Sequence, residues 1–285
     1  MDYKESWQPR VENGCLFIDD TDLGGAMLQH HARPGIGSYI HPVRVGARHL
    51  CLTADSPWHH PHQHGIQTRF VGINGSDFWH FPGQRPGQTL GRINPALPRI
   101  TGTKPPRWVI EALWQHADGG HVLADRQDWQ LGRAGDVLVL DLDWTLRAIP
   151  DARIEPYLYG GLYVRMPYHR HLGATVVTSA GNRDLAAEQE RAAWVDVHMP
   201  IDQSWRPDDP PASAGIAVLD HPANPGHPAH WRIDRQFGIN PAPSIAGAID
   251  LTAGSALRLR YRLLLHEGPL PEPRIGELFA GYASG

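Results

Sequence analysis

Four histidines fall within six residues in the stretch Pro57-Trp58-His59-His60-Pro61-His62-Gln63-His64-Gly65. Imidazole titrates near neutral pH and is the commonest metal ligand, so the stretch reads as an acid–base site or a metal site. On an extended backbone, side chains alternate, and His60, His62 and His64 would share one face about 7 Å apart in successive pairs. Pro61 cannot donate to a sheet ladder, which points to a strand edge or a loop at the mouth of a cavity. With 18 histidines in 285 residues, the competing reading is a solvated histidine-rich loop without chemistry.

Other candidates stand at the ends of apolar runs. Arg44 follows Ile40-His41-Pro42, where a guanidinium could hold a carboxylate or a developing oxyanion. His221 follows the run Ile216-Ala217-Val218-Leu219-Asp220, and adjacency to Asp220 on a strand puts the two side chains on opposite pleats. The expected catalytic set is therefore His60, His62, Arg44 and His221, converging on one concave pocket. His41, His64, Trp58, Asn74, Trp79, Arg165, Asp220 and His227 are the expected substrate contacts. Aromatic faces suit the apolar faces of sugar rings, although Asn74-Gly75 is also a strong turn signal. No metal or other cofactor is predicted; were a divalent metal bound, His60 and His62 would be its ligands. Gln67 and Thr68 stand where a cupin-like metal site would want a carboxylate.

The elements that must position these residues read as strands. Leu138, Leu140, Leu142, Trp144, Leu146 and Ala148 alternate with Val139, Asp141, Asp143, Thr145 and Arg147. Leu257, Leu259, Tyr261, Leu263 and Leu265 alternate likewise with Arg258, Arg260 and Arg262. Period-two patterning of this kind gives long strands with one face in the core and one in water, so Asp141 and Asp143 belong to a wet face. Further strands are expected at 15–18, 38–45, 49–53, 66–71, 108–116, 121–129, 162–167, 192–197, 215–220 and 231–237. Helix is expected only at 183–193 and, as a short turn, near 275–282. With 30 Gly and 26 Pro spread along the chain, the prediction is all-β: one large antiparallel β-sandwich domain over 1–285, with 1–13 as an N-terminal extension.

Composition narrows the function classes. A net charge of −4 leaves no electrostatic footprint for nucleic acid. Cys15 and Cys51 are too few for a disulfide framework or a zinc site. The N-terminus lacks the regions of a signal peptide, and no apolar run approaches the ~20 residues that cross a bilayer, so a cytoplasmic location without membrane partners is expected. No Gly-x-Ser-x-Gly elbow, dinucleotide fingerprint or Walker loop is present.

Several phrases together resemble one family. They are Tyr39-Ile40-His41-Pro42-Val43-Arg44, His60-Pro61-His62-Gln63-His64-Gly65, Asn74-Gly75-Ser76-Asp77-Phe78-Trp79, Ala193-Trp194-Val195-Asp196, the Leu219-Asp220-His221-Pro222 phrase with Asn224-Pro225, and Arg260-Tyr261-Arg262-Leu263-Leu264. In this order they resemble the methane oxygenase PmoA-like family of uncharacterised proteins, over roughly 38–282. The family's usual pattern has an Asp before His60 and an Arg at position 64. The resemblance implies a β-rich bacterial protein found among sugar-catabolism genes. The layout is also similar to the galactose mutarotase-like supersandwich. The expectation is a soluble enzyme, a carbohydrate-active lyase, hydrolase or epimerase, that acts on a small-molecule sugar, glycoside or related polyhydroxylated metabolite by histidine acid–base catalysis. A metal-dependent cupin-like enzyme and a non-catalytic carbohydrate-binding sandwich are the alternatives.

Overall fold

A computed structural model describes residues 2–201 and 212–285. Alternation of apolar and polar side chains becomes two large antiparallel sheets stacked face to face, and the protein is all-β. One sheet runs in spatial order through Trp7–Glu12, Cys15–Asp20, Gly25–Arg33, Gly37–Val45, Ile66–Phe70, Gly160–Val164, Ile239–Pro241, Ala229–Ile233 and Arg191–Ala192. The other runs through Arg99–Thr103, Pro106–Gln115, His121–Ala134, Val137–Ala148, Ala256–Glu267, Ala212–Asp220, Trp194–Ile201 and Thr175–Thr178. A small third sheet, Ile249–Leu251, Ala152–Ile154, Gly72–Ile73 and Ser76–Asp77, lies beside them.

The core lies between the two large sheets. Phe70 of the first stacks on Trp144 of the second at 5.7 Å, and His30 meets Trp129 edge-on at 5.4 Å. Buried polar groups cross the same gap. Gln127 donates to Thr68 (2.8 Å), and Asp125 accepts the indole N–H groups of Trp114 (3.1 Å) and Trp144 (2.9 Å). Burial raises the Asp125 pKa to about 6 against those three donors, Gln127 included.

The two long strands carry their faces as expected. Leu140, Leu142, Trp144 and Leu146 are buried, as are Leu257, Leu259, Tyr261, Leu263 and Leu265. Outside, Asp141 pairs with Arg262 at 2.7 Å, and Asp143 takes two hydrogen bonds from Arg258. Residues 7–12, expected in an extension, form an edge strand because Trp7 buries its ring and donates to Asp20 at 3.2 Å. The helix expected at 183–193 is a single 3-10 turn, Asp184–Ala187; its stretch instead supplies Glu188 to Arg232 and a short strand. The C-terminal segment forms the one α-helix among the described residues, Glu272–Ala283. No helix is long and apolar enough to cross a membrane among those residues.

Candidate functional site

Alternation along the central strands of the first sheet decides which side chains leave the core. In Ile66–Phe70 the side chains of Ile66, Thr68 and Phe70 face inward, which turns Gln67 and Arg69 to the outer face. Tyr39 and Tyr163 pair with Gln67 from either side and so share that outer face. A continuous polar and aromatic surface thus lies on the back of the sheet, and the histidine stretch folds over it.

That stretch is a loop, not an extended strand. Its neck is a pair of rungs, Gly65 N–H to Ala54 O and Ser56 N–H to Gln63 O, both 2.8 Å. Above the neck come successive turns, His60 N–H to Pro57 O (2.8 Å) and Gln63 N–H to His60 O (3.0 Å). Gly65 adopts φ +40°, and a Cβ there would sit 2.1 Å from Ile40 O, so only glycine brings the loop this close to its neighbour strand.

Between this loop and the segments around Trp79–Gln84, Glu188 and Arg232–Gln236 lies an open cavity of about 780 Å³. His60, His62, Trp79, His80, Tyr159 and Tyr163 line it. The imidazole rings of His60 and His62 are 5.7 Å apart, and His62 is 5.3 Å from His80. Asp77 accepts from His80 Nδ1 (2.8 Å) and from the backbone N–H groups of Trp79 (2.8 Å) and His80 (3.0 Å). Burial would raise the Asp77 carboxyl, but these hydrogen bonds outweigh it and pull the pKa down to about 2. Asp77 is therefore ionised and accepts from His80 Nδ1–H, and His80 Nε2 lies within hydrogen-bond distance of the Tyr159 hydroxyl at 2.9 Å. Burial, with Tyr157 next to it, raises the Tyr159 pKa.

Burial pushes His62 down to about 3, helped by His80, His60 and Arg69; burial also lowers His60, with Arg165 and His59 adding to it. His62 is thus neutral throughout the physiological range, which makes it a hydrogen-bonding group and a weak base. On the adjoining wall, Arg165 donates to His59 Nε2 (3.0 Å), to Gln236 Oε1 and to Asp234 (3.4 Å), and Tyr163 donates to the same carboxylate at 3.2 Å.

The twelve residues singled out from sequence do not all meet in one place. His60, His62 and Trp79 line the cavity, and Arg165 braces its wall. His64 turns below the loop, bonded through Nδ1 to Asp55 at 2.5 Å, while His41 binds Thr53 at 2.9 Å. Trp58 is 91% exposed at the loop tip, and Asn74 closes a turn, bonding the backbone of Asp151 (2.9 Å) and Arg153 (2.7 Å). The remaining four lie elsewhere. Arg44 lies at the far end of its strand against Ala26 O (3.1 Å), in a separate cavity with Glu267 and Arg274. Asp220 ends a strand of the second sheet and His221 and His227 follow it, so they emerge near the C-terminal helix. There Asp220 accepts from His227 at 2.7 Å, and His221 packs edge-on against Tyr282.

The expected convergence of Arg44 and His221 with His60 and His62 does not occur. Sequence reasoning missed Asp77, His80 and Tyr159. The Asp77-x-x-His80 spacing beside Trp79 was the available signal, since it lets one carboxylate bind both the imidazole and the backbone of a tight turn. Among the described residues, no group of three or more His, Cys, Asp and Glu side chains is placed to hold a metal ion.

No curated protein matches the chain. Among solved structures, it is similar to the α-galactosidase from Lactobacillus brevis, at 10% identity and a TM-score of 0.44. The alignment covers 99% of this chain and 42% of that enzyme, so the chain spans less than half of its length. Nothing in these comparisons supports the resemblance to the PmoA-like family. Residues 28–280 match the family of unknown function DUF6807, and the chain belongs to that family.

Proposed function

We propose that the protein is an enzyme acting on a sugar, glycoside or related polyhydroxylated metabolite by acid–base catalysis in the 780 Å³ cavity. The observation that carries this reading is the hydrogen-bonded series Asp77–His80–Tyr159, opening on a cavity that also holds His60 and His62. A substrate proton taken by Tyr159 passes the tyrosine's own proton to His80 Nε2, and ionised Asp77 stabilises the imidazolium so formed. Run in reverse, the same series protonates a leaving oxygen. Neutral His62 and His60, on the other side, hydrogen-bond the hydroxyl that departs or inverts. Asp234 and Gln236, which also line the cavity, offer acceptors for the sugar's hydroxyls. Elimination, epimerisation and glycoside cleavage each need this pairing of groups.

The test is turnover of a panel of sugars, sugar acids and glycosides, followed by NMR, on protein purified without a metal column. Tyr159→Phe and His62→Ala should each lower kcat by about 10²–10⁴-fold, with chelators without effect. About one metal ion per chain, lost in His60→Ala and His62→Ala together with activity, would establish metal catalysis instead. Binding without turnover would establish a non-catalytic carbohydrate-binding protein.

A further inference from the structure

Directly beneath the histidine loop lies a buried cation with no counter-charge. Arg69 is 2% exposed, and neither Nε nor Nη2 has a partner. These two N–H groups form the guanidinium edge that grips a carboxylate with parallel bonds. The third nitrogen, Nη1, reaches the carbonyl of His62 at a long 3.4 Å. Asp55, the carboxylate whose charge acts on it, is held by His64 and by Ser56. On the strand face next to it, the Gln67 Nε2, Tyr39 hydroxyl and His64 Nε2 are also buried without partners. Gln67 and Tyr39 are opposite in register, and the Tyr39 ring stacks on His64 at 4.5 Å, so these groups form one patch. Across the ladder, Arg69 faces Gly161, where Pro241 and Pro243 pack and no charged group stands opposite the guanidinium. An unpaired buried charge is among the most destabilising features a fold can carry, and burial draws even this guanidinium down to about 10.

We propose that Arg69 is the receptor for a carboxylate, and that the substrate of the neighbouring cavity is an acidic sugar. This rests on the sugar reading above. The His62–Gln63 segment links Arg69 to the cavity, since both residues line it and the His62 carbonyl accepts from the guanidinium at 3.4 Å. The acid group reaches Arg69 when that segment moves aside. Tyr39 and Gln67 then donate to the carboxylate oxygens that the fork leaves free.

Calorimetric titration with D-galacturonate and with D-galactose tests this, with sodium formate as a probe for the carboxylate alone. The wild type should bind galacturonate about tenfold or more tighter than galactose, the usual worth of a charge-assisted pair. Formate should raise its melting temperature above that in sodium chloride of equal strength. Arg69→Met should abolish both effects. Tyr39→Phe, which removes one hydroxyl, should reduce both severalfold and covers the case of a poorly folding Arg69→Met. Formate stabilisation that depends on Arg69, with neither sugar bound, would support the receptor and overturn only the sugar reading. The absence of both acid preference and formate stabilisation, or their persistence in the two variants, would overturn the proposal.

Discussion

Replacing Asp77 by Asn tests the proposed proton relay where it is anchored. The carboxylate accepts from His80 Nδ1, from two backbone N–H groups and from Gln88 Nε2 (3.1 Å), and its side chain is 9% exposed. Its pKa falls from 3.8 to about 2 on folding, and a difference of ~1.8 units corresponds to roughly 2.4 kcal/mol of stability. Because the folded-state pKa is the lower one, this stability is complete above about pH 4 and is lost as pH falls towards 2. Asp77→Asn should therefore cost roughly 2–3 kcal/mol in urea denaturation at pH 7, and the gap to wild type should close on acidification. The amide also cannot hold the Nδ1–H tautomer as a carboxylate does. His80 should shift its proton to Nε2, visible in long-range ¹H–¹⁵N correlation spectra, with turnover down by about 10²–10⁴-fold. A stability cost below about 0.5 kcal/mol at pH 7, or an unchanged tautomer, would refute the reasoning.

Three further outcomes follow from the geometry. Gly65→Ala places a Cβ 2.1 Å from Ile40 O at φ +40° and should cost roughly 2–3 kcal/mol, against about 1 for Gly75→Ala, which meets nothing within 4 Å; thermal melts compare the two. His62 takes its proton near 6.5 when unfolded and only near 3 when folded, so it draws stability down as pH falls between those values, by up to roughly 5 kcal/mol. Denaturation of wild type and His62→Gln at pH 7 and pH 4 should show a steeper acid loss in the wild type, and parallel losses would contradict the burial of His62. Asp125→Ala leaves the indole N–H groups of Trp114 and Trp144 buried and unpaired and should cost roughly 2–5 kcal/mol by urea denaturation, whereas a cost under about 1 kcal/mol would mean that water replaces the carboxylate.

The fold was legible because period-two patterning is local. The strands at 137–148 and 256–267 announce both their faces, and the Asp141–Arg262 and Asp143–Arg258 pairs sit on the face that alternation assigns to water. The helix read at 183–193 failed because good helix formers without caps yielded to tertiary demands: Glu188 is taken by Arg232, and Arg191 and Ala192 join a sheet. The lining of the candidate cavity was half legible. A run of histidines marks a loop worth examining, and His60 and His62 do line the cavity. Convergence across the chain depends on which sheet a strand joins, and nothing local in Leu219-Asp220-His221 reveals that its strand lies in the second sheet. Arg69 hides for the same reason, because Ile66-Gln67-Thr68-Arg69-Phe70 reads as a plain alternating strand until a loop is laid over its polar face.

The most direct measurement is a crystal structure after soaking with the panel of sugars and sugar acids. The account predicts a ring seated between His62 and Tyr159, with a hydroxyl or glycosidic oxygen within hydrogen-bond reach of the Tyr159 oxygen. A sugar bound in the Arg44 cavity or beside His221, with the His62–Tyr159 space left to solvent, would contradict it.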